Sequence, residues 1–101
     1  MLSPGLQLNG RYQLIQQLGK GGFGETWEIL VDSQVKVLKI LVKNFPKAIE
    51  LFQREAQVLS QLEHPGIPKV DANSYFSCVV DGMSKPIHGY VMEKIQGMDL
   101  E

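Results

Sequence analysis

The sequence predicts an α+β domain: a five-stranded antiparallel sheet with one helix inserted between its third and fourth strands. Two observations carry this. Three segments of strand composition follow one another as far as Val42, joined by connections too short for parallel crossovers. A single stretch beginning at Asn44 then changes to helical spacing, and strand-like sequence resumes after it.

Each element has its own justification. Arg11 to Leu18 places Tyr12, Leu14 and Leu18 among polar residues and reads as the first strand. Glu25 to Val31 holds Thr26, Trp27, Ile29 and Val31, residues that suit a pleated surface. Asp32-Ser33 is a turn, and Gln34 to Val42 is the third strand. In Asn44-Phe45-Pro46, Asn44 can cap a helix, and proline is tolerated in a first turn because its missing N–H would be unpaired there. Ile49, Phe52, Ala56, Leu59 and Leu62 recur at three and four residues and form one apolar face. Glu50 and Arg54 stand four apart and can pair on the outer surface. His64-Pro65-Gly66-Ile67-Pro68 ends the helix. Val70 to Val80 reads as the fourth strand, Asp81 to Pro86 as a polar connector, and Ile87 to Met92 as the fifth strand. Residues 1–9 read as a flexible lead, 10–92 as the domain, and 93–101 as a segment leaving the sheet.

Composition narrows the function. The chain has 101 residues, 44% of them apolar, which suits one small folded domain. A net charge of −1 gives no electrostatic case for nucleic acid or an acidic membrane surface. The most apolar run, Val35 to Val42, is short and interrupted by Lys36 and Lys39, so no segment reads as a membrane span. The N-terminus lacks the pattern of a secretory signal. The single cysteine, Cys78, fits a reducing cytoplasm and reads as a small buried apolar residue. No second ligand stands at zinc spacing from His64, so no metal site is expected there, and His88 is assigned no chemistry.

The chemistry concentrates in residues 18–27, Leu-Gly-Lys-Gly-Gly-Phe-Gly-Glu-Thr-Trp. Glycines at 19, 21 and 24 leave bare backbone that can close over a phosphate chain, and Phe23 can cover it from water. Dinucleotide-binding folds also use G-x-G-x-x-G, but there a helix starts within the motif. Here strand composition follows, so the loop joins two antiparallel strands as a flap; a plain hairpin turn is the simpler alternative. Lys39 shares a strand face with Val35 and Val37, where an ammonium costs desolvation unless an anion meets it. Glu55 borders the buried helix face between Phe52 and Leu59 and can reach a lysine on the sheet. The alternative is a snorkelling lysine and a solvated acid. Asp99 could accept from a sugar hydroxyl or stand in a solvated turn.

Taken together, these residues resemble the N-terminal lobe of a eukaryotic-type protein kinase of the bacterial serine/threonine kind. Leu18-Gly19-Lys20-Gly21-Gly22-Phe23-Gly24 resembles the glycine-rich loop over the ATP phosphates. Val37-Leu38-Lys39 resembles the Val-Ala-Ile-Lys strand, which implies that Lys39 meets the α- and β-phosphates. Phe52-Gln53-Arg54-Glu55 resembles the αC helix, which implies Glu55 as the partner of that lysine. His64-Pro65-Gly66-Ile67 resembles the His-Pro-x-Ile turn. Val91-Met92-Glu93-Lys94-Ile95-Gln96-Gly97 resembles the hinge, with Met92 as gatekeeper, the backbones of Glu93 and Ile95 at the adenine, and Asp99 near the ribose. Thr26 stands where valine usually closes over adenine, and Val37 where alanine is usual, so the nucleotide fit departs from the common pattern.

The resemblance implies a serine/threonine phosphotransferase that uses ATP and Mg2+ and takes its protein substrate through a large lobe. His-Arg-Asp and Asp-Phe-Gly, which orient the substrate hydroxyl and hold magnesium, are not in these 101 residues. The segment alone is therefore expected not to transfer phosphate. Two other functions are compatible with parts of the pattern: a non-catalytic kinase-like binding module that docks a partner or nucleotide, and a dinucleotide-binding element.

Overall fold

The structure, a computed structural model, describes residues 2–22, 24–43, 45–62, 69–71 and 74–94. Six strands and one helix occur among them: β1 (Gln7–Leu8), β2 (Tyr12–Lys20), β3 (Gly24–Val31), β4 (Gln34–Leu41), α1 (Pro46–Gln61), β5 (Phe76–Cys78) and β6 (Ile87–Met92). The strands form one antiparallel sheet in the order β1-β2-β3-β4-β6-β5.

The expected five strands become six because the segment read as a lead contains β1. Its register, Leu8 opposite Tyr12, is closed by Asn9 and Gly10, both at positive φ. Leu8 is buried, and the Gly5 amide donates to the Leu14 carbonyl, so this segment is pinned to β2. The strand expected over 70–80 is shorter than its composition suggests. The Ser74 hydroxyl both donates to the Val91 carbonyl and accepts from the Val91 amide, so a side chain takes the place of a ladder partner. Val70 makes only an isolated bridge with Met92.

The sheet buries both faces. Leu14, Trp27, Ile29, Leu38, Ile40, Ile87 and Val91 pack on one side, with half-buried Cys78 against them. On the other side Leu41, Val70 and Tyr90 meet Ala48, Phe52 and Ala56 of α1. The two-residue alternation of β4 and β6 makes this division, sending Leu38 and Val91 one way and Leu41 and Tyr90 the other. The helix begins with Pro46 at its first position, after Phe45 in extended conformation. Asn44, the expected cap, lies outside the described residues, as do His64 and the rest of the turn to Pro68. Leu62 does not extend the apolar face: it is the extended residue that ends the helix, its amide returning to the Leu59 carbonyl. Glu50 and Arg54 pair on the exposed surface as expected.

Between β3 and β4 the chain reverses in two residues, Asp32 (φ 50°) and Ser33 (φ 64°). A turn with both central residues in this region favours glycine at the second. Ser33→Gly is therefore expected to stabilise the fold by about 0.5 kcal/mol, raising the midpoint of thermal unfolding by about 2–4 °C. An unchanged or lowered melting temperature would contradict a strained serine.

Candidate functional site

The loop between β2 and β3 joins two antiparallel strands, as the sequence predicts. Lys20 and Glu25 are paired, and the Gly21 amide donates to the Gly24 carbonyl across 2.9 Å. Its glycines have different reasons. A Cβ on Gly21 or Gly22 would meet nothing within 4 Å, whereas one on Gly24 would lie 2.0 Å from the Ile40 carbonyl oxygen. Gly24 therefore lets β3 approach β4, while Gly21 and Gly22 present bare backbone to open space. Two irregularities bend β2 on the way to the flap. The register skips Ile15 and Leu18, the extra residue of each bulge, and leaves both half-exposed.

Beneath the flap, between the sheet and α1, lies a cavity of about 510 Å³. Gly21, Gly22 and Gly24 border it from the loop, Thr26 and Lys39 from the sheet, and Phe52 and Glu55 from the helix. Thr26 and Lys39 are cross-strand partners and so share a face. The Lys39 ammonium donates to Glu55 Oε1 at 2.5 Å, joining β4 to α1. The same oxygen accepts from the Tyr90 hydroxyl, also at 2.5 Å. Burial pushes the Glu55 carboxyl up, but the bonds from Lys39 and Tyr90 and the Lys39 charge outweigh it, and the group sits below its ordinary value of 4.5.

A depressed carboxyl contributes stability that is complete above the ordinary glutamate range and is lost as pH falls through the lower folded value. Carbon-13 detected titration should accordingly place the Glu55 midpoint below 4.5, and Lys39→Met should move it upward. A midpoint that ignores Lys39 would mean that the pair does not form in solution.

The remaining predicted positions are more dispersed. Leu18, Gly19, Lys20, Val37, Met92 and Glu93 do not border the 510 Å³ cavity. Val37 is buried on the sheet face that carries Lys39, with Glu28 and Met92 as its neighbours across β3 and β6. The Glu93 amide donates to the Lys69 carbonyl, so of its backbone groups only the carbonyl is left to meet a ligand. Phe23, Ile95 and Asp99 lie outside the described residues.

Two features escaped the sequence reading. Tyr90, wholly buried on β6, is one. The other is Glu28, the one buried charged residue among those described, which accepts from Gln16 at 3.3 Å and from the Lys94 ammonium at 2.5 Å. The bond from Lys94 ties the chain leaving β6 back to β3. A hint existed for both, since Tyr90 and Glu28 fall on the same alternation as Met92 and Thr26, but nothing in the spacing names their partners.

The fold is of the protein-kinase type. The kinase domain of Mycobacterium tuberculosis PknI superposes on it with a TM-score of 0.67 at 24% identity, covering 97% of this chain and 38% of that one. No family model matches the sequence. Among proteins similar in sequence, the serine/threonine-protein kinase PknA of Mycobacterium tuberculosis is 36% identical over 107 residues, an alignment covering 98% of this chain. The serine/threonine-protein kinase PrkC of Bacillus subtilis is 33% identical over 102 residues and 96% of this chain. The chain belongs to the bacterial serine/threonine protein kinases, as an N-terminal lobe of that family. It spans 24% of the length of PknA and 14% of that of PrkC. No helix among the described residues is long and apolar enough to cross a membrane.

Proposed function

We propose that this chain is the ATP-gripping lobe of a serine/threonine protein kinase. The observation that carries the reading is the Lys39–Glu55 pair at 2.5 Å, set on a cavity roofed by glycine backbone. ATP fits the residues present. Gly21 and Gly22 have room above their backbone for phosphate oxygens, and the Lys39 ammonium supplies a fixed positive charge beneath them. Thr26 and Val37 would bound the purine, with the Glu93 carbonyl as an acceptor at its edge. Leu18, Gly19 and Lys20 lead into the loop, and Met92 would stand at the far end of the nucleotide site, beyond the cavity described. The roles that the resemblance implies for Phe23, Ile95 and Asp99 fall outside the described residues.

ATP bound here supplies the transferable γ-phosphoryl group. Lys39 holds the phosphate chain at a set position, and Glu55 keeps the lysine from swinging into water. Magnesium ligands, the residue that orients the substrate hydroxyl, and the protein substrate site belong to a large lobe outside these 101 residues. On this reading the segment alone binds nucleotide weakly and does not transfer phosphate. The reducing cytoplasm suits its single thiol.

Amide and side-chain NMR of the 101-residue chain during titration with ATP tests this directly. Shifts should concentrate at Gly21, Gly22, Thr26 and Lys39 at millimolar ATP, and adenosine should leave Lys39 nearly unmoved. Absence of any shift at these residues, or a response centred elsewhere, would overturn the proposal. A kinase-like binding module that docks a protein partner predicts a lobe that ignores ATP, whereas a module that docks nucleotide would respond in the same way and is separated by the absence of phosphate transfer in a chain that carries the large lobe. A dinucleotide site is disfavoured by the loop itself, which joins antiparallel β2 and β3 instead of opening a helix.

A further inference from the structure

We infer that Tyr90 is a positioning residue that sets the Lys39–Glu55 pair from the sheet side. Tyr90 lies directly across from Lys39 in the β4–β6 register. Its ring packs on Phe52 with centroids 5.0 Å apart, and its hydroxyl reaches Glu55, three residues further along the same helix. One rigid side chain therefore grips α1 at two successive points of its inner face. Lys39 and Tyr90 approach the same Glu55 oxygen from adjacent strands, so the carboxylate is fixed by two donors whose backbones are already locked by the sheet.

The need for such a device follows from exposure. The Lys39 and Glu55 side chains retain 40% and 41% of their accessible surface. An ion pair that open contributes little by itself, because two long side chains must give up their freedom to form it. Tyr90 is completely buried and has few rotamers to lose, and its hydroxyl would lack a partner if Glu55 turned away. The tyrosine thus supplies the rigidity that the lysine cannot. Of the other charged groups near Glu55, Lys47 and Glu25 border the same cavity, and Arg54 pairs outward with Glu50. Burial and the Glu55 charge both raise the phenol, so it stays a donor throughout the neutral range.

The inference rests on Lys39 and Glu55 being the phosphate-facing pair only for its consequence, and its test uses no nucleotide, so the two can fail separately. Tyr90→Phe keeps the ring on Phe52 and removes the donor. In the 101-residue chain, carbon-13 detected titration should show the Glu55 midpoint rising by about half a unit or more in this variant. A merely structural tyrosine would leave that midpoint where it is, and an unchanged value overturns the inference. Should Tyr90→Phe not fold, Glu55→Ala reads the same contact from the other side. Exchange of the Tyr90 hydroxyl proton with water should accelerate at least about tenfold when its acceptor is removed. Equal exchange in Glu55→Ala and the parent chain would equally overturn it.

Discussion

Lys39→Met, introduced into a chain that carries the catalytic lobe, is expected to reduce phosphate transfer by at least about 100-fold while leaving the fold intact. The lysine is the charge that would oppose the phosphates, and removal of one preorganised donor from a transition-state site costs rates of this order. Folding should survive because the pair is half-exposed, so its loss leaves no deeply buried charge unpaired. Glu55→Gln should fall in the same direction but less far. It removes one charge-assisted bond, worth about 1.5 kcal/mol or roughly tenfold, and leaves the ammonium in place. Phosphotransfer assays with circular dichroism on each variant check both statements. Near-parental activity of Lys39→Met would remove this residue from the reaction.

Gly24→Ala should produce the largest loss of stability among single changes in the flap. The added methyl group would lie 2.0 Å from the Ile40 carbonyl oxygen, 3.1 Å from the Ile40 carbonyl carbon and 3.3 Å from the Leu41 Cα. All three are backbone atoms, so no side chain can rotate aside, and β3 must separate from β4. Overpacking normally costs about 1–3 kcal/mol, and a clash with an unyielding strand belongs above that range. A loss of more than about 3 kcal/mol is a large share of what a small domain has, and should lower the melting temperature by about 15 °C or more. Gly22→Ala is the control. Its Cβ meets nothing within 4 Å, and its stability should stay within about 0.5 kcal/mol of the parent chain's. Equal stability of the two variants would show that β3 and β4 do not approach as described.

The order of strands and helix was legible because its signals are local. Trp27, Ile29 and Val31 mark β3 by alternation, and Phe52 and Ala56 mark the inner face of α1 by helical spacing. β1 was missed although Asn9-Gly10 between Leu8 and Tyr12 is a hairpin signal in its own right; two residues are too few to show a period. The true length of β5 was hidden because a serine hydroxyl replaces a ladder bond, which no propensity records. At the site, Lys39 and Glu55 were readable as a pair, since one face of a strand and one border of a helix can be deduced separately and brought together. Tyr90 meeting Glu55 across 35 positions, and Lys94 meeting Glu28 across 66, depend on where strands lie in space. Alternation assigns such residues to a face but cannot name what waits there.

The division of labour among the flap glycines has an evolutionary consequence. A variant at position 24 is tested first by whether the protein survives synthesis at all, before any ligand is encountered. Variants at 21 and 22 pass that filter freely and are judged only on how they treat whatever sits below. With nucleotide below the rim as proposed, two demands that would ordinarily be tangled in one short motif would fall on different residues, and change at the rim would retune affinity without endangering the chain that carries it.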